Sequence, residues 1–165
     1  MKRILGIDPG FRTTGLGVIE SDGHHSRYIV SGVVKVENLT LSQRLQKIHE
    51  AVKEVIDEFT PELVAIEKVF VHKNVDSALK LGQARGAAIC AAAGYAIDVS
   101  EYSPREIKKA TVGSGGATKE QVQHMVQMIL ALGEGLGEDA SDALAVAICH
   151  AHHYSLNAKL QESLT

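Results

Sequence analysis

Leu63-Val64-Ala65-Ile66-Glu67 decides the fold class of this 165-residue chain. Four apolar residues in a row, with Pro61 just ahead and an acid at the end, read as a short strand buried on both faces, as in parallel sheets. Upstream the period changes. Leu45, Ile48, Val52, Val55, Ile56 and Phe59 recur at helical spacing, which predicts a helix over residues 41–59 that Pro61 stops. Farther back, Ile4 to Asp8, Gly15 to Glu20 and Arg27 to Val36 read as three strands. Pro9-Gly10 and Ser21-Asp22-Gly23 supply the turns between them, so the three form an antiparallel meander.

Downstream, Asp76 or Ser77 can cap a second helix that runs to about Ala93, and Asp98 to Tyr102 reads as a fifth strand. The remainder is helical: Pro104 to Ala110, Thr118 to Leu132, and Asp139 to about Tyr154, separated by glycine-rich stretches. The order predicts an α/β fold, a mixed five-stranded sheet flanked by helices. With no internal repeat or interior linker, residues 1–156 read as one domain and residues 157–165 as a frayed polar tail.

Apolar residues make up 45% of the chain and charged residues 22%, an ordinary globular balance. Cys90 and Cys149 sit in apolar helical runs and read as reduced thiols rather than a disulfide framework. The start lacks the apolar stretch of a signal peptide, and residues 86–97 are too few and too small to span a bilayer, so a cytoplasmic protein is expected. The net charge of −3 speaks against a nucleic-acid binder at first sight. Charge is local, however: from Pro104 to Lys119 the chain carries Arg105, Lys108, Lys109 and Lys119 against Glu106 alone, a segment of +3.

Four acids stand where chemistry could gather. Asp8 and Glu67 each end an apolar strand, and Asp139 and Asp142, at i and i+3, share a face at the start of a helix. If the two strands are neighbours and the helix crosses their ends, four carboxylates converge. Hard oxygen ligands of that kind suit Mg²⁺ or Mn²⁺. Two such ions roughly 4 Å apart can activate water and stabilise the leaving oxygen of a phosphodiester. Each acid also has an ordinary reading: a solvated strand end for Asp8 and Glu67, a cap and a favourable helix-end charge for Asp139 and Asp142. Spacing alone does not bring them together.

Several blocks in order resemble the RuvC family of Holliday-junction resolvases. They are Gly6-Ile7-Asp8-Pro9-Gly10 with Thr14-Gly15-Leu16-Gly17-Val18-Ile19, then Ala65-Ile66-Glu67-Lys68-Val69-Phe70, then the run from Asn74 to Gly86. Lys119-Glu120-Gln121-Val122-Gln123-His124-Met125 and Asp139-Ala140-Ser141-Asp142-Ala143-Leu144-Ala145 complete the set. The resemblance implies an RNase H-like fold, a homodimer, two Mg²⁺ ions per active site with Mn²⁺ able to substitute, and Asp8, Glu67, Asp139 and Asp142 as the catalytic metal-binding carboxylates. It further implies DNA contacts by Phe70, Lys108 and Lys119. Two symmetric nicks in four-way junction DNA would leave 5′-phosphate and 3′-hydroxyl ends, in recombination and repair, alongside a branch-migration helicase complex. Lys68 departs from close relatives, which usually carry an uncharged residue there.

Read from the residues alone, Phe70 either stacks on an exposed base or plugs the core. Lys108 and Lys119 flank Gly113-Ser114-Gly115-Gly116, where backbone N–H groups can approach a phosphate, or where the chain simply needs a flexible connector. The Ala- and Gly-rich helix from Ser77 to Ala93 fits a subunit interface or tight internal packing. His150, His152 and His153, at i, i+2 and i+3, do not share one face and read as a solvated helix end rather than a metal site. Two other functions remain open here: a YqgF-type nuclease acting on RNA, and a non-catalytic junction-binding module. An actin-like sugar kinase fails on length.

Overall fold

The computed structural model describes residues 1–10, 12–70, 74–133 and 135–162. The elements are β1 (Lys2–Asp8), β2 (Thr13–Ser21), β3 (Ser26–Lys35), α1 (Leu41–Phe59), β4 (Leu63–Glu67), α2 (Val75–Ala93), β5 (Val99–Tyr102), α3 (Pro104–Val112), α4 (Lys119–Ile129) and α5 (Glu138–Glu162). They form one five-stranded sheet in the order β3-β2-β1-β4-β5. The first three strands are antiparallel neighbours, while β4 joins β1, and β5 joins β4, in parallel. The mixed sheet expected from the sequence is present, with the run at Leu63 as its second central strand.

Alternation across the strands divides the core in two. Leu5, Ile7, Leu16, Val18, Val64 and Ile66 face α1 and α2, where Ile48, Val52 and Ile56 pack with Ala84, Ala88, Ala91 and Ala92. Ile4, Ile19 and Ala65 face α5, with α3 and α4 beside it. Gly6, Asp8 and Glu67 fall on this second face by the same period. Two glycines let α5 lie almost on the sheet backbone. A Cβ at Gly6 would stand 2.1 Å from the carbonyl oxygen of Ala143, and one at Gly15 would stand 2.1 Å from that of Asp139. Because Gly15 is paired with Asp8 in the β1–β2 ladder, the close approach sets the first turn of α5 against the end of β1.

Side-chain caps fix the helix starts. Thr40 with Gln43, Ser103 with Glu106, and Thr118 with Gln121 each form a capping box. The cap of α2 is Asn74, whose side chain accepts from the Ser77 N–H at 3.2 Å. Asp76 and Ser77, the expected caps, already lie in the first turn, where Asp76 pairs with Lys80 at 2.6 Å. Helix α5 runs on to Glu162, past the end expected at Tyr154. Cys90 is free and exposed, and Cys149 is free and buried. Among the described residues no helix is long and apolar enough to cross a membrane.

Candidate active site

Asp8 and Glu67 are the residues that follow the Ile7–Ile66 pair of the parallel β1–β4 ladder. Two adjacent strands therefore end in acids on the same face, and the two carboxyl groups share a hydrogen bond. Packing of α5 across these ends brings in its first turn. Asp139 accepts a hydrogen bond from the Thr13 hydroxyl at 2.8 Å. Asp142 lies 3.7 Å from the Lys119 ammonium, which also donates to Glu138 at 2.6 Å. A cleft of about 340 Å³ is lined by Asp8, Glu67 and Asp142 together with Lys108 and Lys119. Asp139 does not line it, yet its charge is felt at both Asp8 and Asp142.

Crowding of acids in a partly dry cleft has the expected electrostatic result. Burial first, then the charge of Glu67 and their shared hydrogen bond, push the Asp8 carboxyl up to about 9. Glu67 is raised by burial and by Asp142, against the lowering effect of Asp8, Lys119 and Lys108. Asp142 is raised by burial, with Lys119 opposing and Glu138 and Asp139 adding to the rise. Lys119 is raised chiefly by its hydrogen bond to Glu138. In the metal-free protein the Asp8–Glu67 pair thus holds a proton near neutral pH.

Does this set fit a hard divalent cation? Among the described residues, no group of three or more His, Cys, Asp or Glu side chains is already arranged around a single ion. The donor chemistry nonetheless fits, because Mg²⁺ keeps most of its waters and takes only one or two carboxylates. Buried acids that repel one another sufficiently to retain a proton also form a site where positive charge is strongly favoured.

Arg85, from α2, is a supporting residue that the strand and helix reading did not single out. It donates from Nε to the Glu67 carbonyl at 3.3 Å and pairs with Glu101 of β5 at 2.6 Å, tying the end of β4 from behind. Glu138 and Thr13 were likewise not singled out as site residues; Glu138 could have been noticed as a third acid beside Asp139. Phe70 is 49% exposed three residues past Glu67 and so does not plug the core. The loop residues Val71, His72 and Lys73 lie outside the described residues. The charge of Lys68 is felt at Glu106 of α3, and it is not among the main influences on Asp8 or Glu67.

The histidine cluster requires a correction. His150 is buried, not solvated, and its Nδ1 is 2.8 Å from the Tyr102 hydroxyl. Burial lowers its pKa to about 4, leaving it neutral. Continuation of α5 beyond Tyr154 places His150 mid-helix on the sheet side, and Tyr102 stacks on His153 with ring centroids 4.9 Å apart. A larger cavity of about 610 Å³, lined in part by His24, His152 and His153, contains none of the four acids.

The family model for crossover junction endodeoxyribonuclease RuvC matches residues 4–150. The chain belongs to the RuvC family. It is 56% identical over 156 residues to the RuvC of Hydrogenovibrio crunogenus, covering 94% of this chain and 91% of that protein. It is 58% identical over 157 residues to the RuvC of Idiomarina loihiensis, covering 92% and 88%. Thermus thermophilus RuvC, solved in complex with a Holliday junction substrate, superposes with a TM-score of 0.90 at 37% identity, covering 95% of this chain and 97% of that one. The yeast mitochondrial Holliday junction resolvase, at 14% identity and a TM-score of 0.64, shares the fold. The RNase H-like architecture expected from the RuvC resemblance is present.

Proposed function

We propose that this RuvC-family protein is a Mg²⁺-dependent endodeoxyribonuclease that resolves Holliday junctions by two symmetric nicks, leaving 5′-phosphate and 3′-hydroxyl ends. The observation that carries the reading is the pair of strand-end acids, Asp8 and Glu67, on one face with the acidic first turn of α5 laid across them. Asp8, Glu67, Asp139 and Asp142 are the residues that would hold Mg²⁺, or Mn²⁺ in its place. The chemistry supplied at such a set is activation of a water and stabilisation of the leaving 3′ oxygen.

The chain's own residues prepare the substrate. Lys108 and Lys119 line the cleft beside the acids and neutralise the phosphate that enters it. Lys119 is held by Glu138 and Asp142, so its ammonium stays at the mouth of the site. Thr13 orients the Asp139 carboxylate, and Arg85 fixes the backbone that carries Glu67. Phe70, exposed just past β4, stacks on a base near the junction centre, a contact worth roughly 1–3 kcal/mol.

A homodimer is part of the same reading. Val75, Leu79, Gly82, Gly86 and Cys90 follow one another along α2 at steps of three or four. Val75 and Leu79 are more than 60% exposed, and among the described residues nothing lies within 4 Å of a Cβ added at either glycine. A two-fold partner on this face would set two clefts against a two-fold junction. A branch-migration motor would deliver the junction, in recombination and repair.

The test is an end-labelled mobile four-way junction incubated in Mg²⁺, in EDTA, and with Asp8→Asn, with linear duplex and single-stranded RNA alongside. Paired symmetric nicks on the junction alone, absent in EDTA and in the variant, are expected. Cutting of RNA but not of the junction would transfer the same site to an RNA substrate and overturn the reading.

A further inference from the structure

The arginines of this protein are not alike. Arg3, Arg12, Arg27 and Arg85 each face a carboxylate within 4.0 Å, and Arg44 is engaged by its surroundings. Arg105 is exposed in the first turn of α3, and among the described residues no carboxylate or carbonyl meets its guanidinium. The neighbouring acid does not neutralise it, because Glu106 is turned back onto the Ser103 N–H and hydroxyl at 2.7 and 2.6 Å. The positive end of a helix dipole disfavours a cation slightly and favours an anion brought against it.

Its placement is built. The stem of Arg105 lies across Gly115 in the loop between α3 and α4, so that a Cβ on Gly115 would stand 2.6 Å from Arg105 Cγ and 3.2 Å from its Nε. Gly115 does not adopt a left-handed backbone, so conformation does not demand glycine there; the space for the arginine stem does. The loop's own amides are largely engaged. Gly113 N–H donates to the Lys109 carbonyl, Gly116 N–H to the Ser114 hydroxyl, and Ala117 N–H to the Ser114 carbonyl. Arg105 also lies one residue after Pro104 and three before Lys108, both of which line the acidic cleft, so it stands on the cleft's border.

We infer that Arg105, seated across Gly115, grips a backbone phosphate of the DNA strand next to the one that enters the cleft. The inference rests on the proposed junction-binding function and adds a contact to it. The guanidinium presents a planar fork to a phosphodiester, which suits two oxygens of one phosphate. Lys119 is already held by Glu138 and Asp142, whereas among the described residues no carboxylate pairs with Arg105.

The experiment measures four-way junction affinity by fluorescence anisotropy across a salt series, in an Asp8→Asn background that cannot cut. Arg105→Ala should flatten the log–log salt slope by about one. At about 0.1 M salt, release of ~0.9 counterion corresponds to roughly eightfold in affinity. Arg105→Lys should keep the slope while weakening binding less. Gly115→Ala should evict the stem and reproduce the loss without lowering the melting temperature, yet add nothing in the Arg105→Ala background. An unchanged slope in Arg105→Ala, with the parent protein binding the junction, would overturn this inference and leave the proposed function intact. Equal losses from Gly115→Ala with and without the arginine would also overturn it. A parent protein that does not bind junctions would sink both readings.

Discussion

Replacing Asp8 by Asn should stabilise the metal-free protein while abolishing cleavage. The folded protein keeps a proton on Asp8 up to about pH 9, whereas the unfolded chain loses it near 3.8. Between those values the native state binds more protons, so stability falls as pH rises, by up to about 1.4 kcal/mol per unit. From 3.8 to pH 7 the interval is about three units, a ceiling of roughly 4 kcal/mol. Asparagine carries no charge at any of these pH values and still offers an N–H to Glu67, so the variant avoids the loss. Even half the ceiling would move the melting temperature of a chain this size by roughly 4–8 °C. The assay is thermal unfolding of both proteins in EDTA at pH 5, 6, 7 and 8. The gain should be small at pH 5 and largest at pH 8. In excess Mg²⁺ the wild type should rise and the variant should not, because only the former gains a bound cation. An equal gain at every pH, or no gain at all, would refute the argument that repulsion among the site acids is stored in the fold.

Four further outcomes follow from the geometry. Gly15→Ala should force α5 off the end of β1, costing about 1–3 kcal/mol in denaturant unfolding and reducing single-turnover cleavage far more than junction affinity. If Glu67 holds the proposed metal, Arg85→Ala should lower the cleavage rate by about 10–100-fold through loss of a contact behind it, with junction affinity little changed; equal losses in both would assign it to DNA contact instead. Leu79→Glu should leave the monomer folded, since the side chain is 63% exposed, and should shift sedimentation from dimer to monomer; an unchanged dimer places the interface elsewhere. In EDTA the junction should still bind but not be cut, and complete loss of binding without metal would contradict the assignment of affinity to the lysines.

Much of the fold was legible because its signals are local. The apolar run at Leu63 stands between a helical period and a proline, and the meander before it carries its own turn residues. The acids at Asp8 and Glu67 were visible as strand ends, and Asp139 with Asp142 as a shared helix face. That they meet depends on register and on how closely α5 approaches the sheet, which Gly6 and Gly15 permit but do not announce. The longer-range partners were hidden for the same reason. Tyr102 lies 48 residues from His150, so a histidine that looked like part of a wet helix end is a buried, neutral group. Asn74 was passed over as a cap because Asp76 and Ser77 are equally good capping types, and only backbone geometry chooses among them.

The charge distribution resolves the apparent conflict between a net charge of −3 and a polyanionic substrate. Acidic residues at the strand ends would repel DNA if all were ionised, but burial keeps a proton on the Asp8–Glu67 pair near neutral pH and removes part of that repulsion. Of the basic residues of the α3–α4 segment, Lys108 and Lys119 stand beside the acids, while Lys109 lines the larger cavity that contains none of them. Lys108 and Lys119 line the cleft, and Arg105 adjoins its lining residue Pro104 in the chain. Under the proposed function, acids poor at holding DNA would hold the cation, and affinity and catalysis would fall to different residues of one small cleft. Mutations should separate them accordingly: changes at the basic border act on binding and its salt dependence, and changes at the acids act on cutting.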